Sequence, residues 1–269
     1  MRSAVRRAVM VLACCLVAAT TTACGGGSSE PSDSSEYQLV ENGKLTFGMS
    51  GQYRPFNYYE KDGKLAGFDV DLGGEVAERL GLTPNPVTGP FNSLVAGLKA
   101  KRYDLIIGSM SPTPERKEQV DFTNDYYVSG AQLFVSDDST VTSVDGLRKA
   151  TVGVVLGTTF EDYAKKQSGI TEVKTYSSDS EVLTDLANGR LDAAITTKLL
   201  GLYQIKQADL KIKAVGPILF PDPAAIAGRK DNSKLTAKLD EILAEIKNDG
   251  TYAELSEKWF GVDISQGDS

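Results

Sequence analysis

The sequence has 269 residues, 41% of them hydrophobic, so one large domain or two smaller ones can bury a substantial core. Its net charge is −7, which disfavours binding to nucleic acid. It contains no histidine, which excludes Ser-His-Asp and Cys-His catalysis and metal sites built from histidine. We predict no cofactor, no metal and no nucleic-acid partner.

The N-terminus has the pattern of a targeting segment. Arginines precede an apolar run over residues 8–19 that is too short to span a membrane as a helix. Small residues then lead to Cys24, as in the cleavage site of a bacterial lipoprotein, although Thr21 stands where such sites usually have leucine. We predict a signal peptide over residues 1–23, a lipid on Cys24, a flexible tether over residues 24–36 and a position on the outer face of the cell membrane. The alternative is an ordinary secretory signal with an incidental cysteine.

The remaining chain alternates strand and helix patterns, which predicts an α/β fold with largely parallel sheets. Strands are expected at 45–49, 105–107 and 152–155, and helices at 71–80, 93–100, after Thr158 or Thr159, from the capping box 178–181 to Gly189, and at 233–248.

The end of the strand at 105–107 combines groups that bind anions. Gly108 is followed by Ser109, Ser111 and a short helix with Arg116 in its first turn. Hydroxyl groups and a guanidinium placed together favour binding of a carboxylate.

The segment 98–107 resembles the segment 186–195, and both contain an Arg-x-Asp sequence before a buried strand. The echo favours two similar lobes, although turns between helices and strands often look alike. Ligands of parallel α/β sheets bind beyond the carboxyl ends of strands. The two lobes therefore predict a cleft between residues 108–111 and residues 196–198.

Several motifs, in order along residues 40–261, resemble the family 3 extracellular solute-binding proteins, which are polar amino-acid receptors of ABC importers. The motifs are Tyr53-Arg54-Pro55-Phe56, Gly67-Phe68-Asp69-Val70-Asp71-Leu72, the segment 109–116 with Val120-Asp121-Phe122, Gly157-Thr158-Thr159, and the C-terminal segments 249–252 and 258–261. The resemblance implies a periplasmic-binding-protein-like type II fold, in which a two-strand hinge joins two lobes around a ligand cleft. It implies a first lobe at 37–129 plus 225–269, a second lobe at 130–224, a permease partner and a monomeric receptor.

The resemblance also assigns residue roles. Tyr53 and Phe91 match the aromatic residues that enclose the ligand side chain. Arg116 matches the arginine that binds the ligand α-carboxylate, and Ser109 and Ser111 match positions that contact the ligand.

Further along the chain, Thr158 and Thr159 match the helix start in the second lobe that clamps the same carboxylate. Asp69 and Asp71 match a motif with a structural role rather than a catalytic pair, since acids are favourable near a helix start.

The chain departs from the family at Thr197, where many members have the aspartate that pairs with the ligand α-ammonium. Lys198 follows it. Three interpretations stay open. Another acid, such as Glu60, Glu161 or Asp222, substitutes for the aspartate; the ligand lacks an α-ammonium; or Lys198 meets a second carboxylate of the ligand.

We predict an extracytoplasmic lipoprotein that captures an amino acid or related small carboxylate by lobe closure and delivers it to an ABC permease. It is not expected to be an enzyme. The alternatives are a ligand-sensing subunit for a separate signalling partner and a dehydratase-like enzyme on the same fold. In the latter, Glu161 is the candidate general acid.

Overall fold

The computed structural model describes residues 37–265. The predicted signal peptide, Cys24 and the tether therefore lie outside the described residues. Eleven strands are present in this part of the chain: β1 (Lys44–Met49), β2 (Gln52–Tyr53), β3 (Asn57–Tyr59), β4 (Leu65–Ala66), β5 (Thr83–Thr88), β6 (Leu105–Met110), β7 (Asp121–Ser136), β8 (Ala150–Val155), β9 (Ile170–Tyr176), β10 (Ala193–Thr197) and β11 (Ile212–Gly228).

Eight α-helices alternate with these strands between residues 37 and 265: α1 (Phe68–Arg79), α2 (Leu94–Lys99), α3 (Pro114–Lys117), α4 (Thr159–Ala164), α5 (Asp179–Ala187), α6 (Lys198–Ala208), α7 (Ser233–Asn248) and α8 (Thr251–Phe260). Short 3₁₀ turns occupy Phe91–Ser93, Val144–Gly146 and Lys230–Asn232. The predicted α/β alternation is confirmed.

Two long strands join the halves of an eight-stranded sheet, whose order is β5-β1-β6-β11-β7-β10-β8-β9. In the first half β1 is parallel to β5 and β6, and in the second half β8 is parallel to β9 and β10. Strands β7 and β11 run antiparallel to each other and are shared by both halves. The predicted two-lobed fold with a two-strand hinge is confirmed.

The pairing of the long strands explains how the halves separate. Strand β6 pairs with the C-terminal part of β11, and β10 pairs with the C-terminal part of β7. The pairing between β11 and β7 is interrupted between Val215 and Phe220. Each half therefore extends from a different end of the same antiparallel pair.

The first half is closed by the end of the chain, because α8 packs on α1. The ring centroids of Phe68 and Tyr252 are 5.5 Å apart, and the Tyr252 hydroxyl donates to the Tyr126 carbonyl at 2.6 Å. The Trp259 indole donates to Asp71 on α1 at 2.7 Å. These contacts place the C-terminal helices with the first half.

Local sequence accounts for most element boundaries. Thr158 and Ser178 cap α4 and α5, and each side-chain oxygen accepts a hydrogen bond from the backbone N–H three residues later. The longest helix, α7, buries the predicted apolar face that includes Leu239 and Ile246.

One boundary differs from the prediction. Helix α1 begins at Phe68 rather than near Asp71. Asp69 therefore lies in the first turn of the helix, where it is fully buried.

Candidate ligand-binding site

A cavity lies between the two halves, near the carboxyl ends of β6 and β8 and against β11. It contains about 500 Å³ of space that no protein atom occupies, including space that opens to solvent. Its lining is mostly hydroxyl groups, aromatic rings and three charged side chains: Ser50, Gln52, Tyr53, Phe91, Gly108, Ser109, Ser111, Arg116, Val155, Thr158, Thr159, Phe160, Ser177, Ser178, Asp179 and Asp222. Seven residues predicted for the site are thereby brought together: Tyr53, Phe91, Ser109, Ser111, Arg116, Thr158 and Thr159.

Arg116 reaches across this cavity. Thr113 caps the short helix α3, and Pro114 occupies its first turn, which fixes the start of the segment that carries Arg116. One terminal guanidinium nitrogen donates to the Ser111 carbonyl at 2.7 Å, in the first half. The other donates to the Gly157 carbonyl at 3.0 Å, in the second half. Arg116 therefore links both halves through backbone acceptors.

The ring of Phe91 supports this guanidinium, whose central carbon is 5.5 Å from the ring centroid. Burial lowers the pKa of Arg116 from its ordinary value, and the acidic groups of Asp222, Asp162 and Glu115 oppose that shift. A guanidinium remains charged near neutrality after such a shift, so the cavity contains a permanent cation.

Gly157 is the point where the halves come closest at this end of the cavity. Its φ is +79°, and a Cβ atom there would lie 2.7 Å from the Cβ of Asn92 in the first half. Its N–H donates to the Glu161 carboxylate at 2.6 Å, while its carbonyl accepts from Arg116. Both the backbone conformation and the close approach require glycine.

The two threonines after Gly157 have different local tasks. The Thr158 hydroxyl accepts from the Glu161 N–H at 3.3 Å and donates to the Val155 carbonyl at 2.7 Å. The Thr159 hydroxyl donates to the Asp222 carboxylate at 3.1 Å. Thr158 thus shapes the start of α4, and Thr159 connects α4 to the hinge strand.

Asp222 on β11 is a cavity residue that the sequence analysis named only as one of three substitute acids. Its Oδ1 atom accepts from the Ser111 hydroxyl at 2.7 Å and from Thr159. Burial raises the pKa of Asp222, while the hydrogen bonds of Ser111 and Thr159 and the charge of Arg116 lower it. Prolines on both sides of Asp222 suggested a loop, so the strand that carries it was not identified.

Asp179, the first residue of α5, was missed by the sequence analysis. Only 4% of its surface is exposed, and its Oδ1 atom accepts from the Thr196 hydroxyl. Burial raises the pKa of Asp179 to about 6, and the charge of Asp222 adds to the increase. No sequence signal distinguished it, because an acid directly after the capping residue Ser178 is common at helix starts.

Ser109 has a fixed and unusual conformation at the end of β6. Its φ is +55°, in the left-handed region that few residues other than glycine adopt. The Tyr126 hydroxyl accepts from its N–H at 2.8 Å, and its own hydroxyl donates to Asp69 at 2.9 Å. Asp69 also accepts from Tyr126 at 2.8 Å and from Asn57 at 2.6 Å.

Asp69 thus has a structural role, as expected. It holds the cavity residue Ser109 in its conformation. Burial raises the pKa of Asp69 to about 6, and its three side-chain hydrogen bonds oppose the shift. Both donors of Ser109 are used, so only its oxygen lone pairs face the cavity as acceptors.

Tyr53 forms part of an aromatic wall. Its ring stacks on Phe56 with centroids 4.9 Å apart, and Phe56 stacks in turn on Tyr127 at 5.0 Å. Burial raises the pKa of the Tyr53 hydroxyl well above its ordinary value, so this group is neutral. The wall is backed by fully buried rings and therefore keeps its position.

Thr197 and Lys198 were predicted to line the cleft, and neither is among the described residues that line the cavity. Thr197 is buried, and its hydroxyl donates to Ser129 at 2.8 Å. Lys198 begins helix α6. The expectation that residues 196–198 form one wall is not met, because residues after β8 and β9 form that wall instead.

Glu161, the candidate general acid, is also absent from the cavity lining in the described part of the chain. Its carboxylate accepts from the Gly157 N–H and pairs with Lys165 at 2.6 Å. Although burial opposes the change, these contacts lower the pKa of Glu161 below its ordinary value. A carboxylate held in the ionised form is a poor proton donor.

A two-lobed α/β fold with an arginine in the cleft between the lobes is the arrangement expected of a solute-binding protein. The model of the bacterial extracellular solute-binding proteins, family 3, matches residues 45–262. The chain belongs to this family. No helix within residues 37–265 is both long enough and apolar enough to cross a membrane.

Curated relatives are similar over most of the chain. The L-cystine-binding protein TcyJ of Escherichia coli (strain K12) is 33% identical over 231 residues, which cover 85% of this chain and 87% of the relative. The arginine-binding extracellular protein ArtP of Bacillus subtilis (strain 168) is 37% identical over 221 residues, covering 81% and 86%.

A solved structure of an ancestral arginine-binding protein bound to arginine has a TM-score of 0.77 and 36% identity, covering 81% of this chain and 99% of the other. These relatives are binding proteins.

Proposed function

We propose that this protein is an extracytoplasmic receptor that captures an amino acid between its lobes and delivers it to the permease of an ABC importer. Membership of the solute-binding family supports the receptor class. The relatives named for cystine and arginine support an amino acid as the ligand. The observation that carries the proposal is the Arg116 guanidinium, which lies in the cleft and bonds to both halves.

Arg116 is assigned the ligand α-carboxylate. It has five N–H groups, and two of them donate to the backbone carbonyls of Ser111 and Gly157. The remaining donors are available for a carboxylate, and a charge-assisted bond in a site shielded from water is stronger than a neutral one. Tyr53 and Phe91 supply flat apolar surface for the ligand side chain.

We place the first lobe at residues 37–129 plus 225–269 and the second at residues 130–224. The division follows the hinge strands, since β6 pairs with one end of β11 and β10 with one end of β7. A ligand that contacts both lobes stabilises the closed arrangement in proportion to its differential affinity for it. Proton transfer is not part of this function, and the paired state of Glu161 supports a binding role.

Replacing Arg116 tests the proposal directly. The full-length Arg116→Ala protein is expected to bind amino acids at least about 30-fold more weakly, because truncating a buried charge partner costs about 2–5 kcal/mol. Isothermal titration calorimetry measures the affinity, and the exposed Arg102→Ala variant is the matched control. Equal affinities of Arg116→Ala and of the native protein for the ligand would show that Arg116 does not bind it.

We further propose that residues 1–23 are a signal peptide and that a lipid on Cys24 holds a monomeric receptor at the outer face of the membrane. The pattern of residues before Cys24 and the Gly- and Ser-rich segment after it support this arrangement. A Cys24→Ser protein is then expected to move from the membrane fraction to the soluble fraction. Retention in the membrane fraction would contradict the anchor.

A further inference from the structure

The charges of the cavity do not balance. Among its described lining residues, Arg116 is the cation and Asp179 and Asp222 are the two anions. An amino acid with a neutral side chain brings one carboxylate and one ammonium, which would match Arg116 and one aspartate. The other aspartate would remain buried without a counter-charge, which is unfavourable.

Asp222 lies beside the place assigned to the ligand carboxylate. It is first among the acids whose charge acts on Arg116. The ion pairs of residues 37–265 nevertheless include none between Arg116 and Asp222, since Arg116 donates to two carbonyls instead. Ser111 and Thr159 both donate to Oδ1 of Asp222, and no hydrogen bond of the described residues uses Oδ2. An acceptor is therefore available a short distance from the cation.

Asp179 lies toward the aromatic end of the cavity. Its charge acts on Tyr53 more strongly than that of Asp222, and it is not among the groups that act on Arg116. Helix α5, which begins at Asp179, packs near β2, the strand that contains Tyr53. Thr196 donates to Oδ1 of Asp179, and no other side chain of the described residues donates to this carboxylate.

We propose that the cavity selects an amino acid with a second cationic nitrogen, with Asp222 binding the α-ammonium and Asp179 binding the second cation beside Tyr53. This inference rests on the proposed receptor function and narrows its ligand class. Lysine, ornithine and arginine belong to the class, because each has a cationic side chain and a net positive charge; cystine does not, because its second ammonium comes with a second carboxylate. Thr197 is not assigned to the ammonium, because it is buried and is not among the described residues that line the cavity.

Calorimetry on the full-length protein, freed of bound ligand by unfolding and refolding, tests the ligand class. The panel is arginine, lysine and ornithine against cystine, glutamine, leucine and glutamate. At least one member of the first group is expected to bind 10-fold or more tightly than every member of the second. A neutral or acidic amino acid that binds most tightly would overturn the inference and leave the receptor function intact.

Two isosteric variants test the individual roles. Asp179→Asn is expected to lower the ratio of the affinity for lysine or arginine to the affinity for glutamine at least 10-fold, because it removes the partner of the second cation and the unpaired charge that penalises a neutral ligand. Asp222→Asn is expected to weaken every amino acid at least 10-fold and to lose discrimination against the matching α-hydroxy acid. Because each preference is a ratio within one variant, partial misfolding does not affect it. The exposed Asp145→Asn variant is the control.

Two further outcomes distinguish an error in the ligand class from an error in the receptor function. If Thr197→Val loses discrimination against the α-hydroxy acid and Asp222→Asn keeps it, the ammonium binds elsewhere and the inference is wrong. If no amino acid binds the native protein under conditions where it is folded, the proposed function itself fails.

Discussion

The turns before β6 and β10 are built alike, yet the strands end in different surroundings. Asp104 donates its N–H to the Thr46 carbonyl on β1 at 2.7 Å and accepts from the Thr46 N–H at 2.9 Å. Asp192 makes the same two bonds with Thr151 on β8, at 2.9 Å and 2.7 Å. The sequence echo therefore reflects a repeated local structure in the two halves.

The two turns differ in burial and in the strand ends to which they lead. Asp104 is fully buried and lies 3.5 Å from Arg229, whereas Asp192 is exposed. Strand β6 leads directly to Ser109 and Ser111 in the cavity, whereas β10 ends at Thr197 outside the cavity lining. Similar turns thus give both halves the same local scaffold. Whether the end of a strand takes part in the site depends on the residues around that end.

The largest expected difference between the halves is in the free energy of unfolding. Asp104→Ala removes the charged acceptor of two backbone N–H groups and one of the two acidic partners of the buried Arg229, which keeps Asp231, and is expected to cost about 3–5 kcal/mol. Asp192→Ala removes one partly solvated bond and is expected to cost about 1 kcal/mol. Urea unfolding measures both values. Equal losses would show that the turns are equivalent in energy as well as in geometry.

The two acids at the cavity are expected to change stability in opposite directions, each by less than Asp104→Ala. Asp69 accepts three side-chain hydrogen bonds, including one from Asn57, while Asp179 accepts one from Thr196. Asp69→Asn places an amide donor against the Asn57 donor and is expected to destabilise by about 1–3 kcal/mol. Asp179→Asn removes a buried charge whose pKa is raised to about 6, and is expected to stabilise by about 1–3 kcal/mol at pH 7.

The pH dependence of the free energy of unfolding tests whether the charge of Asp179 causes the stability gain. Because the pKa of Asp179 is higher in the folded state than its ordinary 3.8, the folded protein retains the proton to a higher pH. The charge penalty is therefore absent below about pH 4, grows as the pH rises, and is complete above about pH 6. The stability gain of Asp179→Asn should accordingly shrink between pH 7 and pH 4. A gain that does not change over this range would contradict the charge explanation.

The sequence predicted the scaffold and most of the cleft, and the exceptions have physical causes. Periodicity and capping patterns located α4, α5 and α7, and family motifs located Arg116 and its neighbours. Prolines concealed β5 and β11, although proline is compatible with β5 because that strand lies at the sheet edge.

The two cavity acids, of which Asp179 was missed and Asp222 was named only as an alternative, show a different limit. Asp179 follows a helix cap and Asp222 follows a proline, so each residue has an ordinary local explanation. Their joint function depends on the three-dimensional meeting of β11 with the start of α5, which no short-range pattern encodes. Thr197 was expected at the cleft from both the echo and the family resemblance, and it lies outside the cavity lining because the echo describes the turn before the strand and not the end of the strand.

Gly157 has a consequence for how this receptor could be tuned. Every part of the residue is engaged: its N–H by Glu161, its carbonyl by Arg116 and its missing side chain by Asn92. A methyl group there would meet Asn92 in the other lobe and would strain the backbone, and it would thereby disfavour both the approach of the lobes and the contact of Arg116 with the Gly157 carbonyl. Residence time of the ligand could thus change through one position that never touches it.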